Sequence, residues 1–132
     1  MKALSIRQPW AWLIVHGHKD IENRSRNIGG HLGPVLIHAS QVMTRADWFA
    51  CSIFVGGIMD QLPPGFPGLP LPEDLKKECG GIVGRAFVRG HGNLNYSSPW
   101  YTGDYAYQLE QAKPLPFIAC KGRLGFFNVE LL

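Results

Sequence analysis

No two cysteines in this chain stand at Cys-x-x-Cys spacing, and the three present, Cys51, Cys79 and Cys120, are odd in number and 28 and 41 residues apart. That excludes a disulfide framework and a zinc site of ordinary spacing. Long apolar runs are missing too. The longest, Trp10 to Val15, is six residues, against the roughly 20 a membrane-spanning helix needs. Arg7, Gln8 and Pro9 interrupt anything like the apolar core of a signal peptide. The expectation is a soluble, cytoplasmic protein without membrane contact, in which the sequons Asn23-Arg24-Ser25 and Asn95-Tyr96-Ser97 meet no glycosylation machinery. Walker, dinucleotide-binding and His-Glu-x-x-His patterns are absent as well. His16-x-His18 is the only histidine pair with chelating spacing, and His31, His38 and His91 match no such pattern. No metal and no cofactor are expected.

What is present suffices for one core. A chain of 132 residues that is 45% hydrophobic is expected to form a single domain over residues 1–132. Its net charge of +3 is unevenly spread: residues 1–46 carry +4, residues 47–82 carry −3, and residues 83–123 carry +3. If the two basic segments meet in space they form one positive face, with the acidic middle set aside.

Along the chain, Ala3–Ile6 reads as a strand. Pro9 suits the first turn of a helix whose apolar positions Trp10, Leu13 and Ile14 recur at i, i+3, i+4, and Gly17 is placed to end it in a left-handed cap. Lys19–Arg24 shifts to period two, with Glu22 and Arg24 on one face about 7 Å apart by the strand rise. Val35–Ala39 is a buried strand after a glycine-rich turn. Thr44 with Asp47 three residues later resembles a capping box, opening a helix that Gly56-Gly57 should end. Residues 60–73 read as an irregular proline-rich loop, and Glu73–Cys79 as a short helix. Ile82–Arg89 reads as a strand with close backbone approach at its glycines, and Gly90–Gly103 as a polar loop. Asp104–Glu110, Phe117–Lys121 and Gly125–Leu131 complete a strand-rich half. The fold class is α+β, mainly β: a small barrel with two or three short helices packed on it.

The most informative string is Ser5-Ile6-Arg7-Gln8-Pro9-Trp10 followed by Gly17-x-Lys19-x-x-Glu22-x-Arg24. Lys19, Glu22 and Arg24 gather within six residues at the start of a strand, where a carboxylate and a guanidinium can orient one another and still offer hydrogen bonds to a polar ligand. A plain surface ion pair, worth under about 1 kcal/mol, is the bland reading of the same residues. Arg7, Lys19, Arg24 and Arg26 suit phosphate contacts, the arginines adding planar, bidentate recognition. Trp10, Trp12, Trp100, Tyr101 and Tyr105 offer stacking surfaces for unpaired bases, worth about 1–3 kcal/mol each. Trp10 and Trp12 cannot both face one core from a helix. Trp10 is assigned inward with Leu13 and Ile14, and Trp100, in a Ser/Pro/Gly-rich loop, to a cleft rim. His38, on a buried strand just ahead of Ser40, reads as a core histidine or a cleft residue.

The Gly17-x-Lys19-x-x-Glu22-x-Arg24 string resembles the motif of the ASCH family, a branch of the PUA-like superfamily, and the preceding Arg7-Gln8-Pro9-Trp10 is similar to the subset opening with an Arg-Gln-Pro-aromatic run. The likeness extends through Val35–Ala39 and Ile82–Val88, and Lys121–Phe127 is similar to the family's closing glycine-rich strand. It leaves out residues 44–80. The resemblance implies a PUA-like barrel with a cleft beside the first helix, lined by Lys19 and Glu22 with Arg7 and Arg24 as neighbours, that takes RNA (in preference to DNA) or a nucleotide-like ligand. The expected ligand-binding set is thus Arg7, Gln8, Lys19, Glu22, Arg24, His38, Trp100 and Tyr101.

Two further readings stand beside the binding module. Some bacterial ASCH proteins are amidohydrolases acting on acylated cytidine with a threonine nucleophile three residues after the motif lysine. Glu22 occupies that position here, which weakens the activity, although Lys19 and Glu22 remain the catalytic pair if the chain is a hydrolase acting on a nucleoside or RNA. Ser5, Ser40 and Thr44 are available hydroxyls, and no spacing selects one of them. With cations on both sides, Glu22 is expected to orient a ligand rather than act as a base. The third reading is a protein partner docking on the proline-rich loop and the segment around Trp100.

Overall fold

The computed structural model describes residues 1–93 and 97–130. Asn95 and Tyr96 of the second sequon, and Leu131 at the end of the last expected strand, lie outside the described residues. The elements are β1 (Lys2–Ile6), α1 (Trp10–Val15), β2 (Ile21–Arg24), β3 (Gly33–Ala39), α2 (Arg45–Ile58), α3 (Pro72–Lys76), β4 (Gly81–Gly92), β5 (Tyr105–Ala119) and β6 (Phe126–Asn128), with a 3-10 turn at Met59–Gln61. One sheet holds all six strands in the order β2-β5-β4-β3-β1-β6. Only β1 and β3 run parallel; the other neighbours are antiparallel. The α+β, mainly β expectation holds. The barrel expectation does not: among the described residues β2 and β6 end the pairing order and are not joined to each other, so the sheet is open.

Period two sorts the strands onto two faces. Leu4 and Ile6 of β1 and Val35, Ile37 and Ala39 of β3 point to the larger core, where α1 adds Ala11, Ile14 and Val15. Ala3 and Leu36 point the other way, into a smaller cluster with Ile82, Phe127 and Val129. The helix lies close on the sheet because Gly84 has no side chain: a Cβ there would sit 2.5 Å from Val15 Cγ1 and 2.6 Å from the Lys113 carbonyl oxygen. A third cluster joins Leu13 and Ile21 to Cys51 and Val55 of α2 and to Trp100, with the residues 62–69 loop packed over it.

Several boundaries differ from the sequence reading. The two expected strands at Asp104–Glu110 and Phe117–Lys121 are one long β5, continuous across Gln111 (φ 53°) because register shifts against β4 absorb the irregularity. α2 runs through Gly56 and Gly57 to Ile58, since both glycines are helical and exposed. Its start is as expected: Thr44 accepts from the Asp47 N–H at 3.0 Å, and Asp47 accepts from the Thr44 N–H at 2.8 Å. α3 begins at Pro72 and ends at Lys76.

Candidate functional site

Where the end of β1, the start of α1, β2 and the 122–125 segment converge, they enclose a cleft of about 660 Å³. Its aromatic wall is Trp10, Phe54 and Trp100. The Trp10 and Phe54 rings meet edge to face at 5.5 Å, and Phe54 stacks on Trp100 at 6.0 Å. Its polar wall is Arg7, Lys19, Glu22, Asn23, Arg24 and Arg123, with Ser5 and Ser40 between. The two basic segments of the sequence therefore do meet, through Arg7 and Arg24 from one and Arg123 from the other. The acidic middle is not wholly set aside, because Asp47 of α2 pairs with Arg7 at 2.9 Å.

Glu22 organises the inner wall. Its position on β2 is shared by Arg24 two residues on, and the two side chains meet at 2.9 Å on one face, as the alternation requires. Its other oxygen accepts from the Lys19 ammonium at 3.5 Å. Lys19 is buried, also donates to the Ile21 carbonyl, and lies 5.4 Å from the centre of the Trp10 ring. Burial pushes its ammonium below the usual lysine range, an effect that the charge of Glu22 opposes. A lysine this enclosed fixes the wall more than it offers a charge to a large anion. Arg24 donates to the Ser5 carbonyl at 2.9 Å, and its Nε is the one buried side-chain polar atom without a hydrogen-bond partner among the described residues. Arg7 and Arg123 are exposed, and Arg123 makes no hydrogen bond or ion pair among the described residues.

Five of the eight expected ligand residues, Arg7, Lys19, Glu22, Arg24 and Trp100, thus border one cleft. Three do not. Gln8 is buried behind it, accepting from the Trp12 N–H at 2.9 Å and donating to the Glu78 carbonyl at 3.2 Å, so both ends of its amide are engaged in tying α1 to the segment after α3. Tyr101 packs beside Trp100 and donates to Asn93 at 3.4 Å, outside the cleft lining. His38 borders a second, smaller cleft of about 360 Å³. Trp100 also differs from a simple rim residue, being 2% exposed and part of the third core cluster. Trp10, assigned to the core, is only partly buried and bridges two clusters while facing the cleft. The His16-x-His18 pair stacks on Trp12, with ring centres 4.8 and 5.3 Å away, and no group of three metal-binding side chains occurs among the described residues.

Sequence reasoning missed Phe54, Asn23 and Arg123. Phe54 lies on a helix excluded from the motif, and Arg123 arrives from the far end of the chain. Only Asn23, inside the motif string, carried a local signal.

An open α+β sheet with a cationic, aromatic-walled cleft at the β1–α1 junction defines the class of domain. The chain belongs to the ASCH domain family, whose model matches residues 4–113. That span contains both motif strings, while Lys121–Phe127 falls outside it. Among solved structures, the ASCH protein of Zymomonas mobilis is similar at 15% identity and a TM-score of 0.53, covering 98% of this chain and 87% of that one. Its serine-to-alanine and tyrosine-to-phenylalanine variants give the same identity and TM-score, with 87% and 89% of those chains covered. This likeness is one of fold. No curated protein matches. No helix among the described residues is long and apolar enough to cross a membrane.

Proposed function

We propose that the cleft binds single-stranded RNA or a nucleotide-like ligand, the chain acting as one binding unit. The observation that carries this reading is the pairing of aromatic rings with guanidinium groups inside one cleft: Trp10 and Phe54, backed by the buried Trp100, line it together with Arg7, Arg24 and Arg123. An unpaired base needs an apolar planar surface, and its phosphate needs a cation that is not already neutralised. Arg123 is such a cation, and the unpartnered Nε of Arg24 marks a second donor on the same wall. Membership of the ASCH family supports a nucleic-acid ligand. Glu22 then serves as an orienting group, since both its oxygens are engaged by cations.

Fluorescence anisotropy with a labelled single-stranded RNA tests this. Affinity should fall steeply as salt rises from about 50 to 200 mM, with a log–log slope of about −0.7 per phosphate contacted. Arg123→Ala should weaken binding and lower that slope by about one. Salt-independent binding, or binding that Arg123→Ala leaves unchanged, would instead favour an apolar protein interface.

A further inference from the structure

Helix α2 carries two apolar stripes, and the fold covers only one of them. The inward stripe, Cys51, Phe54, Val55 and Ile58, packs into the third core cluster. The outward stripe holds Ala46, Phe49, Ala50, Ile53, Gly56 and Gly57 at helical spacing, and every member is exposed. Phe49 is 56% exposed and Ile53 75%. The Phe49 ring meets Trp48 edge to face at 5.3 Å, and the Trp48 indole N–H donates to the Pro70 carbonyl at 2.9 Å, so the exposed ring is braced from below. Along the 14 residues of α2 the only charged side chains are Arg45 and Asp47, and Asp47 is turned to Arg7. A helix apolar on both sides is built to be covered on both sides.

The outward stripe complements itself when turned end for end. Arg45 opens it, and Asp60, in the 3-10 turn that continues α2, closes it on nearly the same side of the helix. Both are exposed, and neither forms a hydrogen bond or ion pair among the described residues. Two copies laid antiparallel about a two-fold axis between Ser52 and Ile53 bring Arg45 of each opposite Asp60 of the other. The same register sets Phe49 opposite Gly56 and puts the two Ile53 side chains beside the axis. A Cβ on Gly56 or Gly57 would meet nothing within 4 Å, so the space beside them is open to a ring. Charge, bulk and symmetry thus agree on one register, as an isologous interface requires.

We propose that a second copy of this chain covers the outer face of α2. The two helices pack antiparallel, with Ile53 at the axis, Phe49 over the partner's Gly56, and an Arg45–Asp60 pair at each end. The dimer takes the apolar strip out of water, while the end pairs stay at the rim, where they set register and direction more than they add affinity. One helix face is a small interface, below the roughly 1,200 Å² at which stable complexes begin, so the dimer is reversible and concentration-dependent. Phe54 leaves α2 about 100° round from Ile53, since 3.6 residues make one turn. The Phe54 wall therefore stays with its own cleft, and the inference holds whatever ligand that cleft takes.

Sedimentation velocity over a concentration series reads the monomer–dimer equilibrium. The wild type should move from the mass of one chain toward that of two as concentration rises. Ile53→Glu, at a site exposed in the folded chain, should keep the circular dichroism spectrum and weaken dimerisation by about 30-fold or more, the size of a hot-spot loss. Arg45→Glu and Asp60→Arg, each alone, set like charges opposite one another and should weaken it as well. Mixing those two variants pairs an acid with a base at both ends, so heterodimers should form as strongly as the wild-type dimer. A wild type that stays monomeric throughout overturns the proposal and leaves the face to a different protein. Dimerisation that survives Ile53→Glu overturns it too, because the contact then lies elsewhere. Failure of the mixed variants to recover rejects the antiparallel register.

Discussion

At the scale of single residues, Lys19 is a buried ammonium on the inner wall of the cleft. An ammonium taken out of water is tolerated because Glu22, the Ile21 carbonyl and the Trp10 ring surround it. Its ordinary value of 10.5 returns on unfolding, so between its lowered folded value and 10.5 the unfolded chain binds more protons than the folded one. Stability from this group therefore rises with pH across that window, and below it the buried charge is a constant penalty. Cys51 works in the opposite sense: burial pushes its thiol up from 9.0 to about 12, so the stability it contributes is complete below 9.0 and is lost as pH climbs toward 12. Urea unfolding of the wild type and of Lys19→Met between about pH 7 and 10 isolates the lysine. The stability difference between the two should shift in favour of the wild type as pH rises. A difference that does not change with pH would mean that Lys19 remains solvated in the folded state.

At the scale of elements, the cleft depends on how closely α1 sits on the sheet, because α1 carries Trp10 and its end returns the chain to Lys19. Gly84 sets that distance. Gly84→Ala places a methyl group 2.5 Å from Val15 and 2.6 Å from the Lys113 carbonyl, and neither the β5 backbone nor a β-branched valine yields easily. The expected cost is about 1–3 kcal/mol, read as a lower urea midpoint with an unchanged slope. On the proposed reading of the cleft, lifting α1 should lower RNA affinity as well, even though residue 84 does not border the cleft. Full stability in this variant would show that α1 is free to shift. The glycine-rich strand was legible in the sequence as a place of close approach. Which element approaches it was not, since Val15 and Lys113 are 69 and 29 residues away along the chain.

At the scale of the whole molecule, the third core cluster ties α2 to α1, β2 and Trp100 across the cleft floor. Cys51 is fully buried within it, whereas Cys79 and Cys120 are partly exposed. Thiol labelling therefore reports whether α2 opens independently. Under native conditions Cys120 should react with an aromatic disulfide reagent, while Cys51 should react only at the rate of global unfolding. Fast labelling of Cys51 in the native state would show that α2, and with it the Phe54 wall, detaches from an otherwise folded sheet.

Local spacing determined what lies close in sequence. Strand alternation put Glu22 and Arg24 on one face, and Thr44 and Asp47 capped α2. These follow from backbone geometry over a few residues, which no tertiary contact had to supply. The tertiary structure decided everything that depends on distant segments meeting. It left the sheet open, because β2 and β6 end on opposite edges of the pairing order. It took Gln8 out of the ligand set by using its amide to anchor α1, and moved Tyr101 aside with the segment around Trp100. It brought Arg123 and Phe54 to a wall that the motif alone could not complete. It also paired Ser5 with His38 across 33 residues, because parallel strands place side chains in register according to how the chain crosses over, which no local pattern encodes.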